Sequence, residues 1–149
     1  MKILLATDGS IHSKAMVKKF ADRTFAPNTK VRIISAYESS YMTYASPMGA
    51  MNEYNAEADK FLKKSAATST ENAATILRKI NPKLSVSTAV IEGSPKVVIL
   101  EEAEKFAANL IVVGSHGHGA VAGFLLGSVS QSVALHAKCS VEIVRNKKI

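Results

Sequence analysis

Residues 109–136, NLIVVGSHGHGAVAGFLLGSVSQSVALH, join an apolar run to a helical pattern through a glycine-rich segment. NLIVV predicts a buried strand, and QSVALH predicts a helix. Between them, residues 114–130 hold five of the eight glycines of the chain. Because the stretch AVAGFLL in the middle is apolar, the segment is not a solvated flexible linker. A strand, a glycine loop and a helix in this order are typical of an α/β sheet that binds a ligand at its carboxyl edge.

The same alternation of strand and helix patterns extends over the rest of the sequence. Apolar runs and alternating β-branched residues predict strands, and apolar residues at a helical period predict the helices between them. The predicted strands are 2–7, 31–37, 84–91, 109–114 and 140–145. The predicted helices run from Ser10 to about Phe25, from about Met51 to Ile80, from Pro95 to about Ala108, and onward from about Ser128. Strict alternation predicts one α/β domain over residues 1–149, with a doubly wound parallel sheet covered by helices on both faces.

The longest predicted helix should lie on the sheet along one face. Neither Gly nor Pro interrupts it before Asn81 and Pro82, which predict its end. The apolar or small side chains expected to face the sheet are Tyr54, Ala58, Phe61, Leu62, Ser65, Ala66, Ala73, Ile76, Leu77 and Ile80.

Composition and charge exclude several classes of protein. Hydrophobic residues make up 47% of the chain, and no apolar run approaches the roughly 18 residues of a membrane span. The opening run KILLAT predicts a strand rather than a signal peptide. The net charge of +7 is scattered in short lysine groups without interleaved aromatics, so nucleic acid is not expected as the main partner. Cys139 is the only cysteine, which favours a cytoplasmic protein without an internal disulfide.

The spacing of the glycines distinguishes three kinds of phosphate site. A P-loop requires a lysine between its second glycine and a serine or threonine, but Ser128 follows Gly127 directly. The hexapeptide GHGAVA matches a dinucleotide fingerprint, but a helix continuing from it would carry Gly123 and Gly127 in its interior, each costing about 1 kcal/mol relative to Ala. The third interpretation takes Gly114, two residues, Gly117, nine residues, and then Gly127 with Ser128 as one motif.

This third spacing suits a bound anion. Gly114 ends a strand where a ligand can approach closely. Gly117 and Gly119 allow positive φ, so that successive N–H groups converge on the anion. At Gly127-Ser128 the chain re-enters, and the serine is expected to cap a helix whose N-terminus favours a phosphate. The hydroxyl groups of that serine and of Ser130 are expected to add hydrogen-bond donors.

At these residues the sequence resembles the ATP-binding branch of the universal stress protein family, which carries G-x2-G-x9-G-S/T. The resemblance extends over the whole length, through KILLATDGS, EGSP, NLIVVGSHG and CSVEIVR. It implies a three-layer α/β/α domain with a five-stranded parallel sheet of order 3-2-1-4-5. This fold is Rossmann-like and similar to that of the adenine nucleotide alpha hydrolases, and the resemblance places an ATP site at the switch point of the sheet.

The resemblance also implies which residues form the ATP site. Asp8 is implied near the base or ribose, and the backbone of Ala36 near adenine. The full implied set is Ala6, Thr7, Asp8 and Ala36, then Val113, Gly114, Ser115, His116, Gly117, His118, Gly119 and Ala120, and finally Gly127, Ser128, Val129 and Ser130. No metal-binding residue is expected, because His116 and His118 lack a third ligand. Mg²⁺ would instead be held by the phosphates.

The resemblance implies a homodimer that pairs the fifth strands edge to edge, although three residues depart from the family pattern. Asn109 stands where Asp is usual, and Ser140 stands where Pro is common. Glu142 is polar within a strand that is usually apolar. A charge of this kind protects an exposed strand edge, so it argues against edge pairing.

The expected function is a role in stress response through nucleotide-dependent association. Since the loop lacks a P-loop lysine and an acidic pair for Mg²⁺, no catalytic residue is assigned and at most slow ATP hydrolysis is expected. Two alternatives remain open: a dimeric scaffold of the same fold without nucleotide, and a slow ATPase. The connection 37–51 holds three of the four tyrosines and is unusually long, so it is a candidate lid or partner surface.

Overall fold

The computed structural model describes residues 1–39, 49–118 and 126–145, and only the backbone of residues 49–55. Its elements are β1 (Lys2–Ala6), α1 (Ile11–Ala21), β2 (Lys30–Tyr37), α2 (Gly49–Ile80), β3 (Ser85–Glu92), α3 (Pro95–Phe106), β4 (Leu110–Gly114), α4 (Ser128–His136) and β5 (Ser140–Val144). All neighbouring strands pair in parallel, in the order β3-β2-β1-β4-β5. The predicted alternation, parallel pairing and strand order are therefore confirmed.

One apolar layer lies on each face of the sheet. Ile3 and Leu5 of β1 pack with α1 and α2 on one face, around Phe20, whereas Leu4 packs with α3 and α4 on the other face, around Val133. Because successive side chains of a strand point to opposite faces, a strand covered on both faces must be apolar throughout. This explains the continuous apolar runs that predicted the central strands. No helix within the described ranges is both long and apolar enough to cross a membrane.

The start of the central strand β1 is joined to the residue that precedes β4. The backbone N–H of Lys2 donates to Oδ1 of Asn109 at 2.7 Å, and the N–H of Asn109 donates to the carbonyl oxygen of Lys2 at 2.8 Å. A carboxylate would supply the same acceptor as this amide oxygen. The departure of Asn109 from the family's Asp therefore preserves a structural bond at the amino end of the strands.

Helix α1 ends four residues earlier than predicted, at Ala21 rather than near Phe25. Its beginning agrees with the sequence, because the hydroxyl of Ser10 caps it by accepting the N–H of Ser13 at 3.2 Å. Phe25 packs against Phe20 from the segment after the helix, with ring centroids 5.1 Å apart. The apolar period alone cannot tell whether a side chain reaches the core from a helix or from the chain that follows it.

Helix α2 exposes part of the face that was predicted to be buried. Phe61 is 72% exposed, and Leu62, Ser65 and Ile80 are also exposed, so the prediction was wrong for these residues. The buried side chains of its described part are Ala66, Thr70, Ala73, Ala74 and Leu77. A helix of 32 residues is about 48 Å long, whereas the eight-residue strands β2 and β3 span about 27 Å, so the helix overhangs the sheet. The side chain of Tyr54 lies outside the described residues.

Glu142 in the edge strand β5 is paired within the protein. Its carboxylate accepts two hydrogen bonds from the guanidinium of Arg23, one of them from Nη1 to Oε2 at 2.6 Å. These bonds hold the pKa of Glu142 below its usual range, against the opposing effect of burial, and raise the pKa of Arg23. Because Glu142 is directed at the segment after α1, it does not act as a lone charge that guards the outer edge of β5.

Candidate functional site

A cavity of about 480 Å³ opens at the carboxyl edge of the sheet, where β1 and β4 diverge. The strands on either side of this point connect in opposite directions, and such switch points are where doubly wound sheets bind ligands. Its wall is formed by the ends of β1, β2 and β4, the loops that follow β1 and β4, and the first turns of α1, α3 and α4.

Most of the residues predicted from the sequence line this cavity. They are Ala6, Thr7, Asp8, Ala36, Val113, Gly114, His116, Gly117, Gly127, Ser128, Val129 and Ser130. Ser115 is buried behind the wall, and His118 is exposed beside Asp8. Gly119 and Ala120 lie outside the described residues, as do Gly123 and residues 40–48 of the candidate lid.

One side of the cavity is apolar. It is formed by Ile34 and Ala36 of β2, together with Pro95 and Ile99, which lie one turn apart on α3. Helix α3 begins at Pro95, as the sequence predicts, and Ser94 is its N-cap residue without a capping bond from the side chain. Three of these four lining residues were not predicted, because an apolar residue on a helix or strand has the same sequence pattern whether it faces the core or a cavity.

Another part of the cavity wall is the N-terminus of α4. The cap residue is Gly127, so the prediction that Ser128 caps the helix was wrong by one position. Ser128, Val129 and Ser130 form the first turn and line the cavity. The N–H groups of a first turn have no acceptor within the helix, and they carry a partial positive charge. This side of the cavity therefore favours an anion.

The hydroxyl of Ser130 connects the two ends of the glycine loop instead of facing a ligand. It donates to the carbonyl oxygen of Gly114 at 2.8 Å, and it lies 3.2 Å from that of Ser115. The N–H of Gly127 donates to the same Ser115 oxygen at 2.7 Å. The prediction of a free hydroxyl donor at Ser130 was therefore wrong, because its proton is used to hold the loop closed.

Gly117 is required for a steric reason rather than for the positive φ that the sequence analysis expected. Among the described glycines, only Gly9 and Gly93 have positive φ, at 75° and 141°. A Cβ atom added to Gly117 would lie 2.5 Å from Oδ2 of Asp8, which is closer than the two atoms tolerate. The absence of a side chain at Gly117 thus allows the loop after β4 to lie against the carboxylate after β1.

Asp8 is an ionised acceptor at the centre of the cavity wall. Burial raises its pKa, but hydrogen bonds from Ser10 and Ser13 and the charge of His118 outweigh this effect, so that the pKa of Asp8 lies below its ordinary value. Its Oδ1 accepts the N–H of Ser10, and its Oδ2 accepts the N–H of His118, both at 3.0 Å. Nε2–H of His118 also donates to the carbonyl oxygen of Asp8 at 2.7 Å. Asp8 therefore joins the two loops that form the cavity.

A histidine on the cavity wall lies close to a second histidine outside it. His116 is on the wall, with Nδ1 3.1 Å from the hydroxyl oxygen of Ser115. Its ring centroid lies 5.8 Å from that of His12, in the first turn of α1. The sequence analysis missed His12, because an isolated histidine on a helix gives no signal of its neighbours. Within the described parts of the chain, no group of three or more His, Cys, Asp or Glu is placed to hold a metal ion.

A second cavity, of about 100 Å³, lies between the end of α3 and the start of β5. Cys139 and Ala137 are on its wall. Burial raises the pKa of the Cys139 thiol, which lowers its thiolate fraction and its nucleophilicity. This small cavity provides a control site for substitutions in the larger one.

The fold and the cavity define a doubly wound α/β protein with a ligand cavity at the switch point of its sheet. Residues 1–145 match the model of the Universal stress protein family, and the chain belongs to this family. A protein of Staphylococcus haemolyticus whose name also places it among the universal stress proteins is 32% identical over 154 residues, covering 99% of this chain and 86% of the relative.

Solved structures share the fold over nearly the whole chain. The structure of the protein MJ0577 has a TM-score of 0.81 at 24% identity, covering 99% of this chain and 97% of that one. A universal stress protein solved in complex with cAMP has a TM-score of 0.65 at 26% identity, covering 97% of this chain and 96% of that one.

Proposed function

We propose that this protein binds ATP in the cavity at the switch point and acts in stress response, in the cytoplasm, by nucleotide-dependent association. The observation that carries the proposal is the chemistry of the cavity, whose wall combines an apolar part with the open N-terminus of α4. An adenine ring needs an apolar wall, and a phosphate chain needs the free N–H groups of a helix N-terminus. A volume of about 480 Å³ is in the range of small-molecule sites.

Each part of ATP has a corresponding part of the wall. Adenine would lie between the end of β2 at Ala36 and the apolar side chains of Pro95 and Ile99. Ribose hydroxyl groups would donate to Asp8, whose negative charge also repels phosphate and so directs it towards the other wall. The phosphates would lie near Gly117 and the first turn of α4, and they would hold Mg²⁺ themselves. The universal stress protein solved with cAMP supports an adenine nucleotide as the ligand.

Filling the apolar side of the cavity tests this proposal. The variant Ala36→Leu is expected to weaken ATP binding about tenfold or more, because its side chain occupies the adenine position. Calorimetric titration with ATP measures the affinity, and mass spectrometry after denaturation identifies any nucleotide that is purified with the wild type.

The matched control is Ala137→Leu, which adds the same atoms at the wall of the second cavity. This variant is expected to bind ATP like the wild type. If the wild-type protein does not bind ATP at millimolar concentration and is purified without nucleotide, the proposal is wrong, and the scaffold alternative is favoured.

The outer edge of β5 supports a homodimer formed by pairing two fifth strands. β5 is a terminal strand of the sheet and offers backbone donors and acceptors for such pairing. Glu142 does not oppose it, because Arg23 neutralises this carboxylate. Sedimentation equilibrium at micromolar concentration is expected to give twice the mass of the 15.9 kDa chain. A monomer under these conditions would contradict the dimer.

A further inference from the structure

The described wall of the cavity carries no permanent cation to match a polyphosphate. Asp8 is the one carboxylate among its described lining residues, and no Lys or Arg is among them. Of the segments outside the described residues, 40–48 and 119–125 contain no Lys or Arg, whereas 146–149, which follows β5, contains Lys147 and Lys148. The N-terminus of α4 supplies only about half of a positive charge. A ligand with several negative charges therefore requires a further source of positive charge at the site.

Among the described residues, His116 and His12 are the side chains closest to the cavity that can supply it. The ring of His116 is part of the cavity wall, and that of His12 lies beside it at a centroid distance of 5.8 Å, with the planes inclined by 49°. An imidazole side chain can carry a positive charge between pH 5 and 8. In that form each ring carries two N–H donors, which suit phosphate oxygens.

The surroundings of the pair determine how it responds to protons. Besides His116 itself, the titratable groups in the described parts of the loops after β1 and β4 are Asp8 and His118, which are bonded to one another. Helices α3 and α4 contribute only uncharged side chains to the described cavity wall, and α2 places the hydroxyl of Ser69 against the loop that precedes His12. On α1 itself, Lys14 is exposed.

We propose that His12 and His116 form a proton-dependent phosphate clamp, which binds the phosphates of the nucleotide in its protonated form. Two neighbouring imidazolium groups repel each other in an empty cavity, and a phosphate near both rings removes this cost. Nucleotide binding and proton uptake therefore favour each other, as linked equilibria must. This inference rests on the proposed function. It predicts that a larger fraction of the protein has nucleotide bound when the surrounding solution is acidified.

The test compares ATP affinity at pH 6 and pH 8 by calorimetry, in buffers of different ionisation enthalpy. The wild type is expected to bind ATP about tenfold or more tightly at pH 6, because uptake of one proton changes the affinity about tenfold per pH unit above the titration range. The observed heat is expected to vary with the buffer, which measures the protons taken up. The double variant His12→Gln, His116→Gln is expected to lose both effects relative to the wild type.

Three controls separate the possible causes. The terminal phosphate of ATP titrates in the same range, and the double variant with the same ligand gives that background. His136→Gln, which removes an exposed histidine at the end of α4, is expected to retain the wild-type pH dependence. Adenosine, which has no phosphate, is expected to bind the wild type and the double variant equally at both pH values and so reports intact folding.

Equal pH dependence of ATP binding in the wild type and the double variant would overturn the clamp while leaving the proposed function in place. Absence of ATP and adenosine binding to the wild type at either pH would overturn the proposed function and the clamp together. The two failures are therefore distinguishable in one set of titrations.

Discussion

Gly117→Ala is expected to weaken ATP binding about 10- to 100-fold. The added Cβ would lie 2.5 Å from Oδ2 of Asp8, a carboxylate that the N–H groups of Ser10 and His118 hold in place. Either Asp8 or the loop after β4 must move, and both form the wall of the cavity. Overpacking of this kind typically costs 1–3 kcal/mol, and each 1.4 kcal/mol corresponds to about a tenfold change in affinity.

Gly114→Ala is a comparison on the wall of the same cavity. The nearest atom to a Cβ added there is the carbonyl oxygen of His116, at 3.4 Å, which is an ordinary contact. Since Gly114 has no positive φ, alanine introduces no backbone strain. ATP titrations of the two variants are therefore expected to differ by at least about tenfold. Wild-type affinity in Gly117→Ala would show that the contact between Gly117 and Asp8 does not shape the site.

Phe20→Ala is expected to lower the free energy of unfolding by about 3–5 kcal/mol. Phe20 is completely buried between α1, α2 and the sheet, where it packs against Phe25 and lies under the guanidinium of Arg23 at 5.4 Å. Truncation removes this buried surface and leaves a cavity that the close-packed layer can fill only in part. Urea unfolding followed by circular dichroism measures the change.

Phe61→Ala makes the same chemical change at a position that is 72% exposed. Its cost is expected to be below about 0.5 kcal/mol, as for most surface substitutions. A loss comparable to that of Phe20→Ala would mean that the overhanging part of α2 is covered in solution. The pair of variants thus tests directly where the helix leaves the sheet.

The order and type of the elements follow from the sequence because their cause is local. A strand buried on both faces must be apolar throughout, and the helices between strands show a helical period, as the runs around Leu4 and Phe20 illustrate. The extent of burial along α2 could not be predicted, since it depends on the length of the neighbouring strands. Phe61 and Ala66 fit the same periodic face, but only Ala66 lies over the sheet.

The parts of the candidate site that depend on backbone shape could be predicted from the sequence. The parts that depend on the packing of side chains could not. The glycine spacing located both ends of the loop after β4, including Gly117 and Gly127. The roles of individual side chains were less accessible, because a hydroxyl such as that of Ser130 bonds whichever acceptor the fold brings near it. His12 joins the site through its position relative to His116, and this position is set by the packing of α1 against β4.

The bond between Lys2 and Asn109 joins residues that are far apart in the sequence, so the sheet can be completed only late in the synthesis of the chain. β1 can pair with β2 soon after it is made, but its other neighbour, β4, follows 107 residues later along the chain. At about 5–20 residues per second, a ribosome needs about 5–20 s to reach it. Throughout that time the apolar strand β1 has one unpaired edge. An unpaired strand edge is prone to pair with another chain.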